Sequence, residues 1–307
     1  MTTSQILELL KTNREYLQKN SDFALNDLHD LSLQYSNHAD EEVQLSLAFN
    51  QSLAQIHFYS QYAKAIENSL QAIEKYKESE HVSLLERHHW VTGHAYAHIG
   101  EHAHAENYLS QALQLLEDFS PVPYAQKTNV LYSLAINNHY RGGEAKVSTA
   151  YLQQILAMPE TASVPTRKAS SLNGIGTFCV QAGNYEEALE YYISALKIYE
   201  DDYDLQNMAA CYSNLGGCYL RLIDLEKAEP YLNKALELRI KVGTPEHLAI
   251  SYFNLAELSK AKKQFPLALE NLNKSREILV RLNNQASLKQ ADELLQEIEV
   301  LSSQSTH

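Results

Sequence analysis

The sequence predicts an all-α solenoid of about seven antiparallel helix pairs, closed by one capping helix at the C-terminus. Three observations lead there. Gly176, Gly216 and Ala256 stand forty residues apart, each followed at offsets of 12, 16 and 19 by small and apolar residues. Only 10 Gly and 7 Pro interrupt 307 residues, so long helices can run unbroken. The segments outside the clear repeats keep apolar residues at helical spacing.

Each element follows from local signals. Residues 1–45 read as a divergent helix pair, with Ile6, Leu9, Leu10 and Leu17 on one stripe and Leu25, Leu28 and Leu31 on the next. Residues 46–82 form a first repeat, with Ala65 and Ala72 on its second helix. Residues 86–119 follow, with Gly93, Ala105, Leu109 and Ala112 in register. The unit at 128–158 has Leu134–Ala135 on its first helix but departs at Val147 and Gln154, so a bend is expected there. Repeats at 169–202, 209–242 and 249–282 are regular. Residues 285–301 read as the cap through Leu288, Leu294, Leu295 and Ile298, and 302–307 as a disordered tail.

Boundaries carry capping chemistry. Gly183 suits the left-handed C′ position, and Asn184 with Glu187 three residues on reads as a capping box. Asp224 is placed as an N-cap. Gly243, Thr244 and Pro245 read as helix end, N-cap and N1. Residues 120–124 and 159–165 are expected to be loops between repeats. Gly176 is expected where the two helices of its pair meet, opposite Ala188. Gly174 maps beside Asn173, where repeat packing does not require glycine; it reads as a plain weak point or as bare backbone where a ligand lies close.

The pattern resembles the tetratricopeptide repeat family. A bulky and a small residue adjoin on the first helix of each repeat (helix A), as in Ile175–Gly176, Leu215–Gly216 and Leu255–Ala256; an aromatic follows at Tyr96 and Tyr219. The usual family period is 34. The longer period here is similar to a subclass that includes bacterial sensory arrays and Rap-type peptide receptors. The resemblance implies a right-handed superhelix whose A helices line a concave groove. It places Asn50, Trp90, His94, His98, Tyr132, Asn173, Thr177, Asn214, Arg221, Phe253, Asn254 and Glu257 in that groove, with Gln51 and His57 nearby. It also implies a protein or peptide ligand. An asparagine amide both donates and accepts, so a row of them suits an extended backbone. A lysine-rich clamp for a terminal carboxylate is not evident, since Arg221 and Lys260 are isolated; an internal segment or short free peptide is the expected ligand.

Other classes are disfavoured. The net charge of −13 argues against nucleic acid or an anionic membrane as partner. No run of apolar residues is long enough to span a bilayer, and the N-terminus lacks a signal-peptide core, so a cytoplasmic location is expected. Cys179, Cys211 and Cys218 fit reduced core thiols. His88, His89, His94, His98, His102 and His104 cluster, and His94 and His98 share a helix face. Without an HExxH motif or a cysteine beside them they read as groove and surface imidazoles, with no metal or cofactor assigned. No phosphate loop, dinucleotide fingerprint or nucleophile elbow occurs, so no catalysis is expected. The functional expectation is a non-catalytic binding module of bacterial signalling or scaffolding. The alternative is a stand-alone signal-peptide receptor of the Rap kind, against which residues 1–45 look too short and acidic for that group's N-terminal bundle. The apolar residues of the cap suit either a homodimer contact or packing on the last repeat.

Overall fold

A computed structural model describes residues 1–18, 22–159, 165–242 and 245–304. Among them are fifteen α-helices and no strand, in two compact units, Met1–Glu160 and Thr161–His307. The first unit holds α1 (Thr3–Gln18), α2 (Asp22–Tyr35), α3 (Glu41–His57), α4 (Tyr62–Tyr76), α5 (Val82–His98), α6 (His102–Glu117), α7 (Tyr124–Tyr140) and α8 (Ala145–Leu156). The second holds α9 (Pro165–Gln181), α10 (Tyr185–Asp201), α11 (Leu205–Arg221), α12 (Leu225–Val242), α13 (Pro245–Ala261), α14 (Phe265–Arg281) and α15 (Gln285–Gln304). Odd-numbered helices up to α13 are the A helices, and each is followed by its partner. Gly243, Thr244, most of the 159–165 loop and the last three tail residues lie outside the described residues; Pro245 opens α13.

The pairs close on residues without side chains. A Cβ on Gly216 would lie 2.5 Å from Leu232 Cγ and Cδ2, and one on Gly176 would lie 2.8 Å from the Tyr192 ring. A Cβ on Gly93 would meet both Leu109 and the Ala105 carbonyl oxygen, at 2.7 and 2.9 Å. The expectation that Gly176 faces Ala188 is therefore corrected: the large residue one turn further along fills the space. Ala188 and Ala195 are still fully buried, on the same stripe. Gly174 is buried too, so it is not a bare strip of backbone awaiting a ligand.

The turns of the α5–α6, α9–α10, α11–α12 and α13–α14 pairs share one hydrogen-bond scheme. Gly183 N–H donates to the Val180 carbonyl and Asn184 N–H to Cys179, with Gly183 at φ +81°. The same scheme recurs at Gly100, at Ile223 (φ +61°) and at Lys263 (φ +59°). It satisfies the carbonyls left over at a helix end. Asp224 accepts from Lys227 N–H as expected of an N-cap, and Asp40 and Asp204 cap likewise. Asn184 makes no such bond; its side chain turns to the Glu187 carboxylate instead.

The irregular unit has a simple cause. After the same scheme at Gly142 and Gly143, Glu144 is added before α8 begins. This single insertion moves the buried stripe of α8 on by one, to Ser148, Leu152 and Ile155, leaving Gln154 exposed. Asn138 fixes the longer turn, donating to the Glu144 carbonyl and to Ser148 Oγ. Gly143 is required beside it, because a Cβ there would fall 2.2 Å from Asn138 Oδ1. At the C-terminal end, Ala291, Leu294 and Ile298 of α15 are buried in the core formed with α13 and α14.

Two adjacent glycines give a paired expectation. Gly217, next to Gly216, has nothing within 4 Å of an added Cβ. Gly217→Ala should stabilise by about 1 kcal/mol through helix propensity alone. Gly216→Ala should instead destabilise by about 1–3 kcal/mol through overpacking. Urea midpoints of the two variants check the opposite signs. Ile223, 80% exposed in the left-handed region, predicts a third shift: Ile223→Gly should stabilise by about 1 kcal/mol, since it removes strain and loses little packing.

Candidate functional site

In the first unit the A-helix face is built by α1, α3, α5 and α7. Asn50 is fully buried under α1, where its Nδ2 donates to the Leu10 carbonyl at 2.7 Å and to Asn13 Oδ1 at 3.2 Å. Its Oδ1 accepts from Arg14 Nε at 3.1 Å. Asn50 is therefore not a free groove amide, because α1 packs over it. Gln51 faces the other way, donating to Ser32 Oγ and lining an open cleft of about 420 Å³ between α2, α3 and α4. The His57 side chain lies outside the described residues.

Aromatic rings continue this face along α5. Trp90 is half-buried, tilted on Phe49 at 6.3 Å and on His94 at 5.8 Å, and its Nε1 donates to Ser133 Oγ on α7. His94 reaches the same hydroxyl at 3.3 Å. His98, exposed at the helix end, stacks on Tyr62 and meets His94 edge to face. Burial lowers the His98 imidazole from its ordinary value. Tyr132 is half-buried on α7, and burial raises its phenol.

The histidine run thus has mixed roles. His88 is a core residue, fully buried between the Leu45 carbonyl and Ser69 Oγ. Burial pushes its imidazole down to about 4, so it is neutral at neutral pH. His102 pairs with Asn137, and His104 approaches Glu101 and stacks on Tyr96. Among the described residues, no group of three His, Cys, Asp or Glu side chains could hold a metal ion.

In the second unit the face is a ladder of amides on α9, α11 and α13. Asn214 Nδ2 donates to Asn173 Oδ1 at 3.1 Å, and Asn254 Nδ2 donates to Ser213 Oγ at 3.0 Å. Cys211 Sγ also approaches Asn173 Oδ1. These bonds join each A helix to the next. Asn173 Nδ2, Asn214 Oδ1 and Asn254 Oδ1 keep no protein partner among the described residues, and all three side chains are half-buried.

The other residues expected in this groove are engaged. Thr177 Oγ1 donates to the Asn173 carbonyl and accepts from Tyr192 O–H, so it turns toward its own partner helix. Arg221 and Glu257 pair with each other at 3.7 Å, and Lys260 pairs with Glu297. Phe253 packs against the core around Ala256 and Leu272. The three thiols are buried; burial pushes Cys179 and Cys218 up to about 11 and Cys211 to about 12. None is a thiolate at neutral pH.

Sequence reasoning missed Arg14, Phe49 and Arg87, while Ser133 and Ser213 lie at positions it read as groove-facing. Arg87 stands one helical turn before Trp90, a spacing that could have revealed it. Arg14 lies on α1, where no repeat signature sets the register.

Comparison with known proteins places these faces in context. Residues 167–240 and 207–279 match the family model described as tetratricopeptide repeat. Over 138 residues the chain is 30% identical to the Hsp70-Hsp90 organising protein of Plasmodium falciparum, covering 42% of this chain. The chain spans about half the length of that curated relative, 50%. A solved Rap protein complexed with competence and sporulation factor is similar at a TM-score of 0.60 and 15% identity, over 99% of both chains. Aspartyl phosphate phosphatase F from Bacillus subtilis is similar at 0.63 and 13% identity, over 98% of this chain and 94% of that one. Among the described residues no helix is long and apolar enough to cross a membrane. Residues 167–279 are tetratricopeptide repeats, and the fold of the chain is of the tetratricopeptide solenoid class.

Proposed function

We propose that this chain is a non-catalytic protein- or peptide-binding module that serves bacterial signalling as a sensory or scaffold domain. The observation that carries the reading is the amide ladder of the second unit. Its cross-helix bonds fix the Asn173, Asn214 and Asn254 amides before any ligand arrives. A ligand then bears less of the ordering cost. The groups left over are one donor and two acceptors along successive A helices. An extended peptide backbone offers the complementary carbonyls and N–H groups. In the first unit Trp90 and Tyr132 are the side chains suited to anchor a bound residue.

The non-catalytic part is supported by the chemistry of the faces. Amides, hydroxyls and paired ions line them, and the thiols are held protonated. The phosphatase among the similar folds shares 13% identity, and its activity is not carried over. A protein or peptide partner rather than nucleic acid accords with the net charge of −13, and we place the chain in the cytoplasm.

A second reading, a stand-alone signal-peptide receptor of the Rap kind, is favoured by one observation. The likeness to the solved Rap protein runs over 99% of both chains, so it includes residues 1–45. The objection drawn from the shortness of that segment therefore loses its force.

The test is selection from a display library of random short peptides on the purified chain. Replacing Asn173, Asn214 and Asn254 together by alanine should weaken the selected peptides about tenfold or more, since each lost amide removes about 1 kcal/mol of hydrogen bonding. Ser194→Ala, on an exposed face of α10, should leave binding unchanged. Equal binding by the triple variant, with its melting temperature preserved, would sink the groove reading.

A further inference from the structure

We infer that the cleft between α2, α3 and α4 is a site for a nucleoside monophosphate, with the base seated on its floor and the phosphate at its rim. The cleft encloses about 420 Å³. Small-molecule sites run from about 300 to 1,000 Å³. It lies on the side of α3 that Gln51 faces, away from the buried Asn50, so the inference stands independently of the peptide-binding reading.

Helical spacing builds the walls. Leu28 and Ser32 come from α2, Gln51 and Gln55 from α3, and Lys64 and Asn68 from α4. Each pair is four residues apart, which puts both members on one face of their helix. The walls are tied together by the protein itself. Gln51 Nε2 donates to Ser32 Oγ at 3.1 Å, and Gln61 N–H donates to the Gln55 carbonyl at 2.8 Å. Burial grades from floor to rim. Leu28 and Ala54 are buried, Gln51 and Asn68 are half-buried, and His29, Tyr59 and Lys64 are exposed.

Gln55 is the residue that points to a ligand. Its side chain lines the cleft at 8% exposure, and its Oε1 is buried with no hydrogen-bond partner. Its Nε2 makes no hydrogen bond among the described residues either. A buried amide with both ends unused is costly and rare in a native interior. A ligand that presents a donor beside an acceptor satisfies both ends at once. The edge of a nucleobase does this, as when a glutamine amide pairs with N6 and N7 of adenine. A flat ring also suits the apolar floor of Leu28 and Ala54, and gives Tyr59 a face to stack on.

Charge selects the other end of the ligand. Among the described residues no Asp or Glu lines the cleft, although the chain carries 38 of them against 25 Lys and Arg. The rim carries the Lys64 ammonium and the His29 imidazole instead, and Lys64 has no ion-pair partner among the described residues. An ammonium takes a phosphate as a point charge. The net charge of −13 opposes a polyanion far more than a molecule with one phosphate.

Calorimetry on the full chain tests the site. The probes are the monophosphates of adenosine, guanosine, cytidine and uridine, their nucleosides, inorganic phosphate and glucose. At least one monophosphate should bind more tightly than both its nucleoside and phosphate. Gln55→Met should weaken that monophosphate about tenfold or more, as for a hydrogen-bonded amide lost from a closed site. Lys64→Met should weaken the monophosphate and leave its nucleoside unchanged; a merely structural role would weaken both or neither. Without ligand, Gln55→Met should melt no lower than the wild type, because it replaces an unpaired buried amide at similar volume. If it melts lower, the Lys64→Met comparison of monophosphate with nucleoside decides alone, since that side chain is exposed. Phosphate bound as tightly as every monophosphate makes the cleft a plain anion site and overturns the base assignment. A response to glucose without one to any monophosphate overturns the nucleotide class. Binding of no probe, or binding that survives both substitutions, overturns the site and leaves the peptide-binding reading untouched.

Discussion

Everything in this chain depends on how closely two helices of a pair can approach. At Gly93, Gly176 and Gly216 the partner helix presses a leucine or a tyrosine into the space a side chain would take. Glycine in mid-helix is otherwise unfavourable, so packing against the partner must offset it. The close crossing fixes which face of each A helix is left over. Those leftover faces carry the amide ladder in one unit and the aromatic rings in the other. Move the crossing, and Asn214 no longer reaches Asn173.

A size constraint of this kind is legible in a sequence, because only Gly, Ala or Ser meets it and the period repeats. Its partner was less legible. Ala188 and Tyr192 lie one turn apart on the same stripe, and spacing alone does not say which one meets Gly176. The α8 register was hidden for a similar reason: one added residue, Glu144, moves the stripe, and composition carries no trace of it. Asn184 has the right residue type for a cap, yet a nearby carboxylate competes for its amide.

The candidate site was legible in position more than in bonding. Asn173, Asn214 and Asn254 sit where the repeat puts them, but their hydrogen bonds depend on the distance between successive A helices. Asn50 occupies the equivalent place and is lost to α1, whose sequence lacks the repeat signature. Thr177 turns to its own partner helix, and Arg221 and Glu257 pair with each other. Burial also decides charge in ways residue type does not. Burial raises the Glu86 carboxyl to about 8 and lowers the His88 imidazole to about 4, favouring the neutral form of each.

The extra residue in the turn between α7 and α8 bears on modularity. Repeats with equal turns can be exchanged or duplicated, because each presents the same surfaces at the same phase. The α7–α8 pair has a turn longer by one residue. Its lock, Asn138 against Gly143 and Ser148, exists in this pair and has no counterpart in the regular ones. Copies of the regular pairs could be inserted within the second unit with their contacts intact. In α8 the turn absorbs the added residue: Ser148, Leu152 and Ile155 follow Ala145 at the offsets by which Ala188, Tyr192 and Ala195 follow Tyr185, so the helix buries the same face. What sets this pair apart is therefore the turn, and a regular turn could replace it only together with the Asn138 lock.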